Sequence, residues 1–145
     1  MGKSNFQFNN PILENITFTI NKDFDVKEMI DLPVSINSNV TVYDLEENAT
    51  EAKANVAVKI TIGVLDRTSP FWVEAVESAD FKWTISEYTD KEVVGLLNRN
   101  AVALLISYVR PIIANITGAS KYPAYNLPYI DLSKKEESPE AQKDQ

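Results

Sequence analysis

Three pairs of carboxylates, Asp23/Asp25, Glu46/Glu47 and Glu74/Glu77, are the residues whose types and spacing could support acid–base or metal chemistry. Acid–base catalysis by two carboxyls requires environments that push their pKa values apart. A calcium loop requires oxygen ligands at fixed positions around a glycine. None of the three pairs has calcium-loop spacing, and pairs of this kind are expected by chance in an acidic chain. The 145 residues include neither Cys nor His. That removes disulfides, thiolate nucleophiles, imidazole catalysis, and the usual zinc, iron–sulfur and haem sites. The four glycines, Gly2, Gly63, Gly95 and Gly118, are too widely spaced for a phosphate-cradling loop. The expectation is a protein that is not an enzyme and uses no cofactor and no metal.

Charge narrows the partners. There are 14 Lys and Arg against 21 Asp and Glu, a formal net charge of −7, and the only arginines are Arg67, Arg99 and Arg110. Phosphate backbones are bound by clustered Lys and Arg, so nucleic acid is an unsuitable partner. A basic polypeptide is a better one. The N-terminal MGKSNFQFNN carries no apolar signal core. The longest apolar stretch, Ala101 to Val109, is about half of the roughly 20 residues a membrane span needs. A cytoplasmic protein without membrane insertion is expected.

These residues must be positioned by a sheet and a helix. Phe6, Phe8, Ile12, Ile16, Phe18 and Ile20 alternate with mostly polar residues, the period of a strand with one buried face. Pro11 makes that strand an edge or a bulged one. The connection Asn21–Pro33 is too long for a hairpin, so the first two strands are not expected to be neighbours. Further strands are expected over Val34–Tyr43, Ala54–Leu65 and Phe71–Ile85. In the last of these Glu77 breaks the apolar odd set, which suggests a bulge near Glu77–Asp80.

The period then changes to that of a helix. Asp90 is the expected cap, and Val93, Leu97, Ala101, Leu104, Tyr108 and Ile112 recur at three- and four-residue spacing. Val94, Leu105, Ile106, Val109, Ile113 and Ile116 widen the apolar surface beyond what one sheet can cover. An oligomer built around this helix is therefore expected, with the first six residues at its interface. Residues 1–132 read as one domain and 133–145 as a charged, disordered tail.

Several stretches carry a family resemblance. These are Phe6-Gln7 with Asn15-Ile16-Thr17-Phe18, Phe71-Trp72-Val73-Glu74, the helical segment from Ala103 to Arg110, and Tyr122-Pro-Ala-Tyr-Asn126-Leu127-Pro128. In order and spacing the chain resembles the bacterial protein-export chaperone SecB. The resemblance implies an α+β fold, a four-stranded antiparallel sheet with one long helix packed on one face, assembling as a dimer of dimers. It also implies ATP-independent binding of unfolded polypeptides, by default preproteins for translocation, and docking to the ATPase SecA.

The client groove is expected at Val26, Met29, Ile30 and Leu32 and at Tyr122, Tyr125, Leu127 and Tyr129. These residues are large and apolar, lack a periodic burial pattern, and correspond to groove regions of the family. Trp72, Glu74 and Val76, on the outer face of the last strand, are the expected docking surface. The chain departs from the family pattern twice. Asp131-Leu132 runs straight into the charged tail, so the family's second helix is not expected here, and two acids of the family's first strand are replaced by Asn15 and Thr19. A chaperone dedicated to one client, such as an antitoxin, is the alternative within the class. An adaptor that uses the fold for oligomerisation, or a binder of small ligands, lies outside it.

Overall fold

A computed structural model describes residues 2–24, 31–65 and 68–133. Among these residues five antiparallel strands form one sheet: β1 (Gln7–Phe8), β2 (Ile12–Ile20), β3 (Val34–Val42), β4 (Glu51–Ile62) and β5 (Phe71–Thr84). Both β1 and β2 pair with the same side of β5, so the sheet is four strands across, in the order β1/β2, β5, β4, β3. The first and second strands of the sequence reading thus lie on opposite edges, as the long connection between them requires.

A helix, α1, runs from Asp90 to Gly118 and packs on one face of β4 and β5. The layer between them holds Val56, Val58, Ile60 and Ile62 from β4, Phe71, Val73, Phe81 and Trp83 from β5, and Val102, Leu105, Val109 and Ile113 from α1. By length and apolar composition α1 could cross a membrane. Its residues Leu97, Ala101, Val102, Leu105, Ile106, Val109 and Ile113 are instead buried within the chain, and a core helix needs the same composition.

Two local expectations are corrected. The N-cap of α1 is Thr89, not Asp90. The Thr89 hydroxyl accepts from the Glu92 amide at 3.1 Å, and the Glu92 carboxylate accepts from the Thr89 amide at 3.0 Å. Two orphan amides are satisfied reciprocally, and these bonds hold the Glu92 carboxyl below its usual pKa. Asp90 becomes the first helical residue, where its charge still suits the dipole.

The expected bulge in the last strand is absent, because β5 pairs with β4 in unbroken register from Thr84 to Val73. Glu77 keeps the alternation and points inward, 3% exposed. The shift lies across the ladder in β2, between Leu13 and Asn15. Leu13 is therefore opposite Glu77 and Ile12 opposite Ser78. Ile12 leaves the face it shares in sequence with Ile16 and Phe18 and stands 59% exposed, as a one-residue register change demands. Finally, α1 contains a π-helical turn at Leu96–Asn100 and continues through Pro111. No periodicity in the sequence marks that turn.

Candidate polypeptide-binding surface

The segment after α1 is strapped back onto the molecule. Thr117, buried in the last turn, accepts from the Tyr125 amide at 2.7 Å. Arg110 donates to the carbonyls of Leu127 and Pro128, the latter at 3.0 Å. The Tyr122 hydroxyl donates to the Asn21 carbonyl at 3.2 Å. Around Phe71 these bonds assemble an aromatic cluster, with ring centroids of Phe18, Tyr122 and Tyr125 at 5.7, 6.1 and 6.0 Å. Such spacings favour edge-to-face and tilted pairs.

The expected groove residues consequently divide. Tyr122 and Leu127 are buried in the chain's own core, Leu32 and Tyr125 are half-buried against it, and Tyr129 is 88% exposed. Val26, Met29 and Ile30 lie outside the described residues.

Beside the cluster is an open cleft of about 270 Å³, lined by Thr19, Ile20 and Asn21 at the end of β2, Val64 and Leu65 after β4, and Phe71 and Trp72 opening β5. Val64 is exposed and Leu65 is 68% exposed. Gly63 lets the chain turn here. Its φ is +78°, and a Cβ would stand 2.2 Å from the Phe71 carbonyl oxygen. The sequence reading missed this cleft. The only signal was the pair Gly63-Val64 at the end of a strand, which a composition scan reads as an ordinary turn.

Trp72 links the cleft to the outer face of the sheet. Cross-strand pairing sets Thr19 beside Trp72, Thr17 beside Glu74 and Asn15 beside Val76, so the three expected docking residues do share one face. Exposed Ile12, displaced by the β2 shift, adds an apolar group to it. Glu74 is already engaged, with Lys59 Nζ 3.0 Å from its carboxylate. Of the six helix residues expected at an interface, Leu97 and Ala101 are buried within the chain, Val93, Leu104 and Ile112 are half-buried, and Tyr108 is exposed. Phe8 meets Tyr108 edge-on at 6.3 Å and reaches Phe81 at 6.1 Å.

Glu77 is the unexpected group. One of its carboxylate oxygens is buried without a hydrogen-bond partner, and burial raises its pKa above the usual carboxylate value. It stands among Ala75, Ala79 and Val58, without the second acid that carboxylate-pair catalysis would require. Among the described residues no cluster of acids could hold a metal ion.

An uncharacterized protein of Methanocaldococcus jannaschii, MJ0357, is 32% identical over 133 residues, covering 90% of this chain and 82% of its own. The chain belongs to that protein's family. No protein-family model matches it. Among solved structures, the Mycobacterium tuberculosis SecB-like chaperone Rv1957, in complex with a peptide from the HigA1 antitoxin, superposes with a TM-score of 0.60. The match is 13% identical and covers 87% of this chain and 91% of the other. A Streptococcus agalactiae protein of unknown function superposes at 0.56 and 14% identity, covering 86% and 97%. The fold of this archaeal protein's relative is therefore SecB-like: an antiparallel sheet with one long helix on one face.

Proposed function

We propose that the chain is an ATP-independent chaperone that holds unfolded polypeptides, acting without a cofactor in the cytoplasm as a homotetramer assembled through the uncovered side of α1. The observation that carries this reading is the apolar surface left open around Phe71 and Trp72. The cleft there presents Ile20, Val64, Leu65 and Trp72 over the buried Phe71, with few groups that could select a particular side chain. Each apolar side chain a client buries contributes about 1.5–3 kcal/mol, and several sites along one extended chain add through effective concentration. No hydrolysis is involved, in keeping with the residue types available.

Preproteins for export are the default clients of the resembled family, and Trp72, Glu74 and Val76 would then be the SecA-docking face. A dedicated client such as an antitoxin is favoured by two observations. Asn15 and Thr19 replace acids of the export pattern, and Glu74 is paired with Lys59. The antitoxin peptide on the structural neighbour supports the same choice.

The test is capture, without ATP, of several unrelated permanently unfolded proteins, reduced carboxymethylated α-lactalbumin among them. Capture of all supports a general chaperone; capture of none removes that reading and leaves the dedicated one, which falls in turn if the protein also binds no polypeptide encoded beside its own gene. SecA binding that weakens on Glu74→Lys assigns the outer face to export, whereas equal binding by both proteins removes it.

A further inference from the structure

The two edges of the sheet are built differently, and one of them is open. Along β3 the sequence is VSINSNVTV, nine residues without a charge, a proline or a glycine. Its register with β4 is unbroken from Val34–Ile62 to Val42–Ala54. In an antiparallel ladder, residues that bond the partner strand alternate with residues whose N–H and C=O point away. Two bonds at the ends of the ladder determine which are which. The Gly63 amide donates to the Pro33 carbonyl at 2.9 Å, and the Tyr43 amide donates to the Lys53 carbonyl at 3.0 Å.

The odd residues of β3 therefore face β4. The even residues Val34, Ile36, Ser38, Val40 and Val42 present their N–H and C=O to the free side. The next ladder agrees: Ile85 donates to the Thr50 carbonyl, so even residues of β4 bond β5 and odd ones remain for β3. Among the described residues nothing pairs with that free side.

Side chains on these same even positions lie on the helix-facing side of the sheet, where Ile36 and Val40 are half-buried and Val42 is 58% exposed. A strand added here would gain backbone bonds from one row of atoms and apolar contact from the same residues. Natural edges without a guarding charge, proline or bulge are templates for exactly such pairing when a partner exists.

We infer that β3 is a strand-addition site for one extended client segment whose every second residue is apolar and whose flanks are basic. This deepens the chaperone reading and rests on it. The charge pattern selects the occupant. Asp31 precedes β3 and Asp44, Glu46 and Glu47 follow it, so both ends of the edge are acidic while its middle is neutral. Antiparallel pairing with a second copy of β3 would bring these acids together, which like-charge repulsion opposes. A client with Lys or Arg on both sides of an apolar alternation meets no such cost.

Ser38 makes the test selective. Its side chain is exposed and its N–H points outward, so proline there removes an edge donor while sparing the β4 ladder. With a labelled synthetic peptide of alternating Val and Thr between Lys-Lys flanks as the probe, Ser38→Pro should bind about tenfold or more weakly than wild type. Ser38→Ala should bind equally, and both variants should retain the wild-type circular dichroism. In wild type, probe addition should slow amide exchange at Ile36, Ser38 and Val40 while leaving Ser35, Asn37 and Asn39 unchanged.

Equal capture by wild type and Ser38→Pro, with no added protection on the even amides, overturns the strand-addition site and leaves the chaperone reading intact. Failure of wild type to bind the peptide, every unfolded protein offered and every polypeptide encoded beside its own gene overturns both. A Ser38→Pro protein that loses its assembly size in light scattering assigns the edge to a second copy instead of a client.

Discussion

The β1/β2 edge and the β3 edge bound the same sheet, yet the chain treats them in opposite ways. On the first, pairing with β5 is interrupted at Asn10–Pro11, the register shifts between Leu13 and Asn15, and Glu14 stands in the shift. A proline, a bulge and a charge are three separate means of refusing a further strand. On the second, nine residues run in perfect register with none of these devices. Guarding one edge shows that the sequence can guard an edge. The bare one is therefore a feature to be accounted for, and its half-covered row of Val34, Ile36, Val40 and Val42 is the part of the core that α1 does not fully reach.

The largest effect expected breaks the odd–even distinction on β3 directly. Asn37 should bond Lys59, so Asn37→Pro removes a ladder donor and drives the ring toward the Lys59 carbonyl, costing about 3 kcal/mol. Ser38→Pro, one residue on, should cost less than about 1 kcal/mol. Urea unfolding of the two proteins measures the gap. Equal midpoints would mean that the inward and outward residues have been exchanged.

Gly63 ends the β3–β4 ladder, where its amide bonds Pro33. With φ at +78° and a Cβ position 2.2 Å from the Phe71 carbonyl, Gly63→Ala should destabilise the fold by about 2–3 kcal/mol. It should also loosen the first residues of β3, read as faster amide exchange at Ser35. The guarded edge should be unaffected, so exchange along β2 at Thr17 and Thr19 should follow global stability only.

On the guarded side, Leu13 pairs across from Glu77. The Glu77 carboxyl titrates above its usual value because burial penalises its charged form. Between the unfolded and the raised folded pKa the native state binds more protons than the unfolded one, so stability falls as pH rises through that window. Glu77→Leu should therefore gain about 1–2 kcal/mol at pH 7 and abolish that fall, as seen in melting temperatures from pH 4 upward. An unchanged pH profile would show that Glu77 is not the group responsible.

Much of the frame was legible in the sequence. Alternation from Ala54 to Val64 and from Phe71 to Ile85 marks β4 and β5, and the change of period at Asp90 marks the helix. What escaped has a physical reason in each case. A bulge and a buried acid leave the same trace, a polar residue in an apolar set, and Glu77 was read as the first when it is the second. The β2 shift exchanged Ile12 for Leu13, which differ little in hydropathy. Tyr122 and Leu127 lack periodicity because isolated hydrogen bonds, donated by Arg110 and Tyr122 itself and accepted by Thr117, hold their segment, and such bonds have no period. The open edge is a matter of which backbone groups point where, and side-chain identity does not record it until the register is known.

The smallest effect concerns the face between the two edges. Lys59 on β4 and Glu74 on β5 form an ion pair at 3.0 Å, with the lysine side chain half exposed. Water screens such a pair and holding both side chains costs entropy, so a double-mutant cycle of Lys59→Ala and Glu74→Ala should give a coupling of about 0.2–1 kcal/mol. That coupling should shrink further in 1 M salt, where the screening length falls to about 3 Å. Neither substitution touches a backbone group of either edge, so client capture through β3 should be unchanged in both. A coupling well above about 1.5 kcal/mol that persists in salt would mean that another surface covers the outer face in the assembled protein. The contrast between the edges would then have to be drawn within an assembly that buries the sheet between them.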